Sequence, residues 1–121
     1  MKDLILVKHV SGALGLRLFG LGPSFLPLKG VLKLQVLLNR NTSWATNRNI
    51  KDIKQMLSQS EVVVSVWQKD KLLGFGRATS DSIYRAVLWD IVVEKKYQKS
   101  GIGKMIINSL LSNKLISKAE K

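Results

Sequence analysis

The stretch "YQKSGIGKMIINSLL", residues 97–111, sets Gly101 and Gly103 between an apolar run and a helix-like one. A strand that stops and a helix that starts within a few residues leave several backbone N–H groups unpaired at the helix start, where the peptide dipoles sum to a partial positive charge. Such a junction is an anion site. Glycine there removes side chains from the path of an approaching anion and tolerates the positive φ that a nest of N–H groups requires. Lys95, Lys96, Lys99 and Lys104 surround the junction with charge suited to several phosphates. The alternative is a tight turn in which glycine serves conformation alone. Neither a dinucleotide-binding G-x-G-x-x-G nor a Walker G-x-x-x-x-G-K-[ST] is present. "GFG" at 74–76 fails the first, because Thr79 stands where its last glycine belongs.

The rest of the chain limits what such a site can do. At 121 residues there is room for one compact domain with one core. With 45% hydrophobic and 23% charged residues, a folded domain is expected rather than a disordered chain. The 20 Lys and Arg against 8 Asp and Glu give a net charge of +12, which draws anions without choosing among nucleic acids, acidic surfaces and phosphorylated cofactors. The absence of cysteine excludes disulfides, thiolate zinc sites and a cysteine nucleophile, and fits a reducing interior. His9 is the only histidine, which argues against a serine–histidine hydrolase, and no metal is expected.

Residues 1–30 are rich in Leu and Gly and hold both prolines. A membrane span needs about 20 mostly apolar residues, and Arg17, Pro23 and Pro27 interrupt the best window, so no span is expected. A cleaved targeting segment stays open, though the stretch has two serines and no clear cleavage signal. The expected organisation is a leader over 1–30 and one domain over 31–121. Within the domain, "VLKLQVLL" (31–38) has the apolar content of a strand, and "NRNTSWATNRN" reads as a loop carrying Trp44. "NIKDIKQMLSQS" puts Ile50, Ile53, Met56 and Leu57 on one helical face, with Asn49 as cap and Asp52 three residues on. "EVVVSVWQ" and "LLGFGRAT" form a hairpin about "KDK", "IYRAVLWDIVV" (83–93) is a long strand, and residues 102–116 are a helix that buries Ile102, Met105, Ile106 and Leu110 against the sheet. The order is strand, helix, three strands, helix: an α/β fold of the α+β kind.

Gln98-x-x-Gly101-x-Gly103, directly after "LWDIVV" and directly before a helix, resembles the pyrophosphate-binding loop Q/R-x-x-G-x-G/A of the GNAT family of N-acetyltransferases. The likeness extends over roughly residues 31–116, and "TSWAT", "GFGRATSD" and "YRAVLWDIVV" are similar to its plastid and cyanobacterial branch, whose plant members acetylate lysines or arylalkylamines such as serotonin. The resemblance implies a mixed sheet that splays beside the last strand, with acetyl-CoA in the splay. Its pyrophosphate would lie on Gln98, Lys99, Ser100, Gly101, Ile102, Gly103 and Lys104, and its pantetheine arm on the backbone of Ile91 and Val93. The acetyl group would pass directly to an amine. The resemblance, the lack of cysteine and a composition rich in Lys, Ile and Asn favour a plastid-encoded, stromal protein.

An amine of pKa about 10.4 is only about 0.1% neutral at pH 7.4, so a proton acceptor is expected. Asp90 interrupts the apolar strand, and an acid flanked by Trp89 and Ile91 would be partly desolvated and a better base. The alternative is a strand acid facing solvent or paired with Arg77 or Arg85; Asp81 is a second, weaker candidate. Trp44 and Trp89, with Tyr84, are candidates for the acceptor pocket, whereas Trp67 reads as packing. The family continues past the glycine-loop helix with a fifth strand, a helix and two further strands, so the C-terminal half of the fold is expected to be missing. Weak transfer activity is then expected, and so is a homodimer through the exposed strand edge. Two other functions stand beside the transferase. One is a CoA-binding remnant without activity. The other is a basic RNA-binding module, for which "GFG" is a faint match that lacks the flanking Lys/Arg and aromatic, so no nucleic-acid partner is expected.

Overall fold

The structure, a computed structural model, describes residues 4–10, 22, 27–80 and 86–112. The elements are β1 (Leu4–Val10), α1 (Pro27–Asn41), α2 (Ile50–Ser58), β2 (Val62–Gln68), β3 (Lys71–Ser80), β4 (Ala86–Val93), a 3-10 turn (Lys95–Tyr97) and α3 (Ile102–Leu111). The four strands form one sheet in the order β1-β2-β3-β4 with every pair antiparallel. The mixed sheet implied by the resemblance is thus corrected: among the described residues no strand pair is parallel.

Residues 31–38 are the second correction, because they lie in α1 and not in a strand. The physical reason is legible in the spacing. Val31, Leu34, Leu37 and Leu38 are buried, which is a helical period, whereas a strand over the same residues would have put Lys33 and Gln35 on the face of Val31 and Leu37. Pro27 opens the helix, where its missing N–H costs nothing. The sheet's first strand comes from within the segment expected as a leader. Leu4–Val10 pairs with β2 from Leu4 opposite Gln68 to Val10 opposite Val62. The boundary drawn at residue 31 falls inside α1.

The hairpin and α2 form as expected. Lys69 and Asp70 make a two-residue turn between the paired Gln68 and Lys71, with Lys69 at φ +53°. Asn49 Oδ1 accepts from the N–H of Asp52 at 2.8 Å, and α2 buries Ile53 and Leu57. Helices cover both faces of the sheet. Residues of α1 and α2 pack with Val63, Trp67, Leu72, Phe75 and Val92, while Ile102, Ile106 and Leu110 of α3 pack with Val62, Val64, Val66, Leu73 and Ala78. Burial from both sides explains why β2 is an unbroken run of buried residues from Val62 to Trp67.

Helix α3 comes close to the sheet because β3 offers it glycine. A Cβ at Gly76 would lie 2.6 Å from Ile106 Cγ2 and 2.7 Å from Ile91 Cδ1, and one at Gly74 would lie 2.8 Å from Ile106 Cδ1. "GFG" is therefore a helix-seating motif, and Phe75 between its glycines is fully buried in the opposite core. A buried ring offers no platform to a base, which removes the feature behind the RNA-binding alternative. Gly76→Ala should lower unfolding free energy by about 1–3 kcal/mol through overpacking. Gly103→Ala, whose Cβ would meet Val93 Cγ2 at an ordinary 3.7 Å, should not destabilise. Urea denaturation of the two variants checks the contrast.

Candidate functional site

Strand β4 carries the site, and an irregularity in it sets the geometry. Arg77 lies opposite Trp89 and Phe75 opposite Val92, so the two residues Asp90 and Ile91 face the single Gly76. That is a bulge on β4, with Asp90 at φ +52°. Its consequence is that consecutive side chains share a face. Trp89 Nε1 donates to Thr79 Oγ1 at 2.9 Å, and the Arg77 guanidinium lies 5.5 Å from the Trp89 ring centre while its Nε donates to Asp90 Oδ2 at 2.9 Å. Ile91 and Val93 turn to the other face and pack beside α3.

Asp90 is buried, and both its oxygens are occupied. Arg48 donates from Nη1 to Oδ2 at 3.0 Å and from Nη2 to Oδ1 at 3.2 Å, and Arg77 adds its Nε. Burial pushes the carboxyl up, but the hydrogen bonds and charges of Arg48 and Arg77 outweigh it, and the group sits below its ordinary value. A carboxylate held in this way is a weaker base than a free one. The geometry is the ion-paired alternative with Arg77 as one partner, and it counts against the desolvated general base expected from the sequence. Arg85, Asp81 and Tyr84 lie outside the described residues.

Arg48 reaches β4 from the segment between α1 and α2. That segment is tied at several points: Thr42 Oγ1 donates to Leu38 O at 2.9 Å and accepts from Ala45 N at 3.1 Å, Asn39 Oδ1 accepts from Asn47 N at 2.9 Å, and Gln35 Nε2 donates to Arg48 O at 2.9 Å. Ala45 is fully buried beneath it. Trp44 is 63% exposed on this anchored loop, and Trp89 is 45% exposed on β4. An exposed indole on a fixed backbone is ready to meet a ligand with little ordering cost. Trp67, by contrast, is buried and donates from Nε1 to Ser65 Oγ, as the packing reading expects.

At the far end of β4 the chain turns through Lys95–Tyr97 into α3. Lys99 has φ +71° and Gly101 φ +93°, and a Cβ on Gly101 would meet nothing within 4 Å. Met105 N bonds Gly101 O at 3.0 Å as the first intrahelical bond, which leaves the N–H groups of Ile102, Gly103 and Lys104 ahead of the ladder. Gly101 is explained by its left-handed backbone; Gly103 is explained by neither backbone nor packing. The bare main chain of this half-buried glycine fits an anion that approaches the backbone. Gln98 Nε2 donates to Val93 O at 3.1 Å and Ser100 Oγ donates to Tyr97 O, so both side chains brace the loop, while Lys99 and Lys104 are exposed. Sequence reasoning missed the brace from α1. Arg40 pairs with Glu94 at 3.2 Å, Asn41 Nδ2 donates to Glu94 Oε2 at 3.3 Å, and Asn41 Oδ1 accepts from Lys95 N at 3.0 Å. Once 31–38 is read as helix, "NRN" at 39–41 becomes a helix C-terminus that faces this turn.

Among the described residues no His, Cys, Asp or Glu cluster is arranged to hold a metal, and no helix is long and apolar enough to cross a membrane. The model of the acetyltransferase (GNAT) family matches residues 33–117. The chain is 40% identical over 68 residues to the uncharacterised N-acetyltransferase ycf52 of Pyropia yezoensis, covering 53% of this chain and 39% of that protein. It is 43% identical over 44 residues to the chloroplastic GCN5-related N-acetyltransferase 2 of Arabidopsis thaliana, covering 36% of this chain and 17% of that one. The chain thus spans less than half the length of these relatives. A GNAT family acetyltransferase structure from Streptococcus pneumoniae superposes with a TM-score of 0.68 at 18% identity, over 98% of this chain and 71% of that one, a likeness of fold.

Asp90→Asn should destabilise at pH 7 by about 3–5 kcal/mol, because it leaves two partly buried arginines without their counter-charge. The folded pKa of Asp90 lies below an unfolded value of about 3.9, so its contribution is fully present above that pH and is lost as pH falls through the folded value. Urea midpoints of the wild type should therefore fall toward those of Asp90→Asn as the pH is lowered from 5 to 3; parallel lines would contradict the ion-pair account.

Proposed function

The chain belongs to the acetyltransferase (GNAT) family, and from that premise we propose that it binds acetyl-CoA at the β4–α3 junction and serves transfer of the acetyl group to a primary amine. When bound, acetyl-CoA would supply an acetyl thioester: the amine would form a C–N bond to the acetyl carbon as the C–S bond breaks, and the proton lost by the amine would leave with the sulfur as the free thiol of CoA. The single observation that carries the reading is Gly103, a glycine without a packing or backbone reason beside three N–H groups that precede the helix ladder. Those N–H groups and Lys99 and Lys104 meet the pyrophosphate. The backbone of Ile91 and Val93 runs beside the pantetheine arm, and donors on that edge polarise a carbonyl brought against it.

Trp44 and Trp89 line the acceptor side. Asp90 is assigned to positioning: through Arg48 it holds the Trp44 loop over β4, and its pairing with two arginines leaves it a poor proton acceptor. The Arabidopsis relative's chloroplast name and the Lys-, Ile- and Asn-rich composition support a plastid stromal setting. The outer edge of β4 is unpaired among the described residues, and a homodimer through it would compete with the pantetheine arm.

Isothermal titration with CoA tests the site. Gly103→Val should raise Kd at least tenfold while the circular dichroism spectrum is unchanged, since the added branches reach into the anion's path. Unchanged CoA affinity in a folded Gly103→Val protein removes this site from consideration.

A further inference from the structure

We propose that the acceptor amine is carried by a molecule that also bears a carboxylate, and that Arg77, assisted by Arg48, reads this anionic group at the β4 bulge. The inference rests on the transferase reading above, which puts the acceptor beside Trp44 and Trp89.

Charge is the first argument. Among the described residues, two guanidinium groups against the one carboxylate of Asp90 leave a net positive charge at the bulge. Each guanidinium has five N–H donors. Arg48 spends its bonds on Asp90 and Met56 Sδ, and Arg77 spends its own on Asp90 and, at 3.5 Å, on Ser60 Oγ. Among the described residues Arg77 Nη2 has no acceptor. Both side chains keep some contact with solvent, 29% for Arg48 and 15% for Arg77, so an incoming carboxylate reaches donors already fixed in place by Asp90. Trp89, stacked on Arg77 on one side, keeps nearly half its surface open for an apolar or aromatic body next to that carboxylate.

The same charge disfavours the opposite class of acceptor. A polyamine or a lysine-rich tail brings uncompensated positive charge to a positive site on a chain of net charge +12. Among the described residues the carboxylates nearest the bulge are already engaged: Asp90 by Arg48 and Arg77, and Glu94 by Arg40 just past β4. Positive charge near the amine also favours its neutral form, the form that attacks. The carboxylate therefore supplies the attraction that the amine lacks, and the arginines relieve the shortage of a base.

L-phenylalanine and phenethylamine share ring and amine and differ in the carboxylate, so titration of each into the CoA-saturated chain isolates the proposed contact. L-phenylalanine should bind at least tenfold more tightly, and the difference should shrink to within about twofold in Arg77→Gln. Should Arg77→Gln lose its fold, Arg48→Gln and the wild-type comparison still decide. Equal affinities, tighter phenethylamine, or binding of neither ligand by the CoA-loaded chain overturns the acceptor assignment alone. Failure of the wild type to bind CoA overturns the transferase reading, and the acceptor assignment falls with it.

Discussion

A carboxylate buried in a protein must be paired or it will not stay charged, and Asp90 is the residue on which that constraint falls here. Its two partners come from different parts of the chain. Arg77 is on the neighbouring strand, and Arg48 arrives at the end of the loop that follows α1. Satisfying one acid therefore fixes three things: the bulge that turns Asp90 inward, the height at which the Trp44 loop sits over β4, and the orientation of Arg77 across Trp89. Replacing the triad by apolar groups would leave the loop held, among the described residues, by its ties to α1 and by Ala45 in the core, with no polar link to β4.

The C-terminal end of β4 obeys a similar logic with weaker interactions. Helix α1 ends in Arg40 and Asn41, and these engage Glu94 and Lys95 where the strand turns toward α3. One helix thus braces β4 at two places, directly at the turn that follows Val93 and through its following segment at the bulge. Asp90 and Val93 are three positions apart, about 10 Å of strand. On the proposed reading a ligand laid along β4 meets the glycine turn after Val93 and the arginine–tryptophan cluster at the bulge, and α1 with its following segment braces both.

Local chemistry made part of this legible in the sequence. The capped helix at Asn49, the hairpin about residues 69 and 70, and the glycine junction at 98–104 each rest on residues close together in the chain, and each appears where the residue types require it. The strand expected over 31–38 failed because a run rich in Leu and Val satisfies a strand by content and a helix by period, and period is the stronger signal when the alternative would bury Lys33 and Gln35. The role of Asp90 was legible only as a choice between base and ion pair. Arg48 lies 42 residues away and no local pattern couples the two. The same is true of Asn41 and Lys95, 54 residues apart.

The charge of the chain takes on a different meaning once it is divided by location. Its surplus of lysine and arginine is compatible with nucleic acid when counted as a sum, yet the one sequence feature that matched an RNA-binding motif is a buried phenylalanine between two glycines that seat a helix. What remains concentrated is of two kinds. Exposed lysines flank the β4–α3 turn, where flexible point charges suit a phosphorylated ligand that also contacts backbone N–H groups. Arginines, braced on a carboxylate, occupy the bulge, where a planar and rigid donor set suits a single oriented anion. Were the proposed transfer to join two anionic molecules, exposed lysines beside the β4–α3 turn and arginines braced beside the mid-strand bulge would each attract one of them and screen their mutual repulsion.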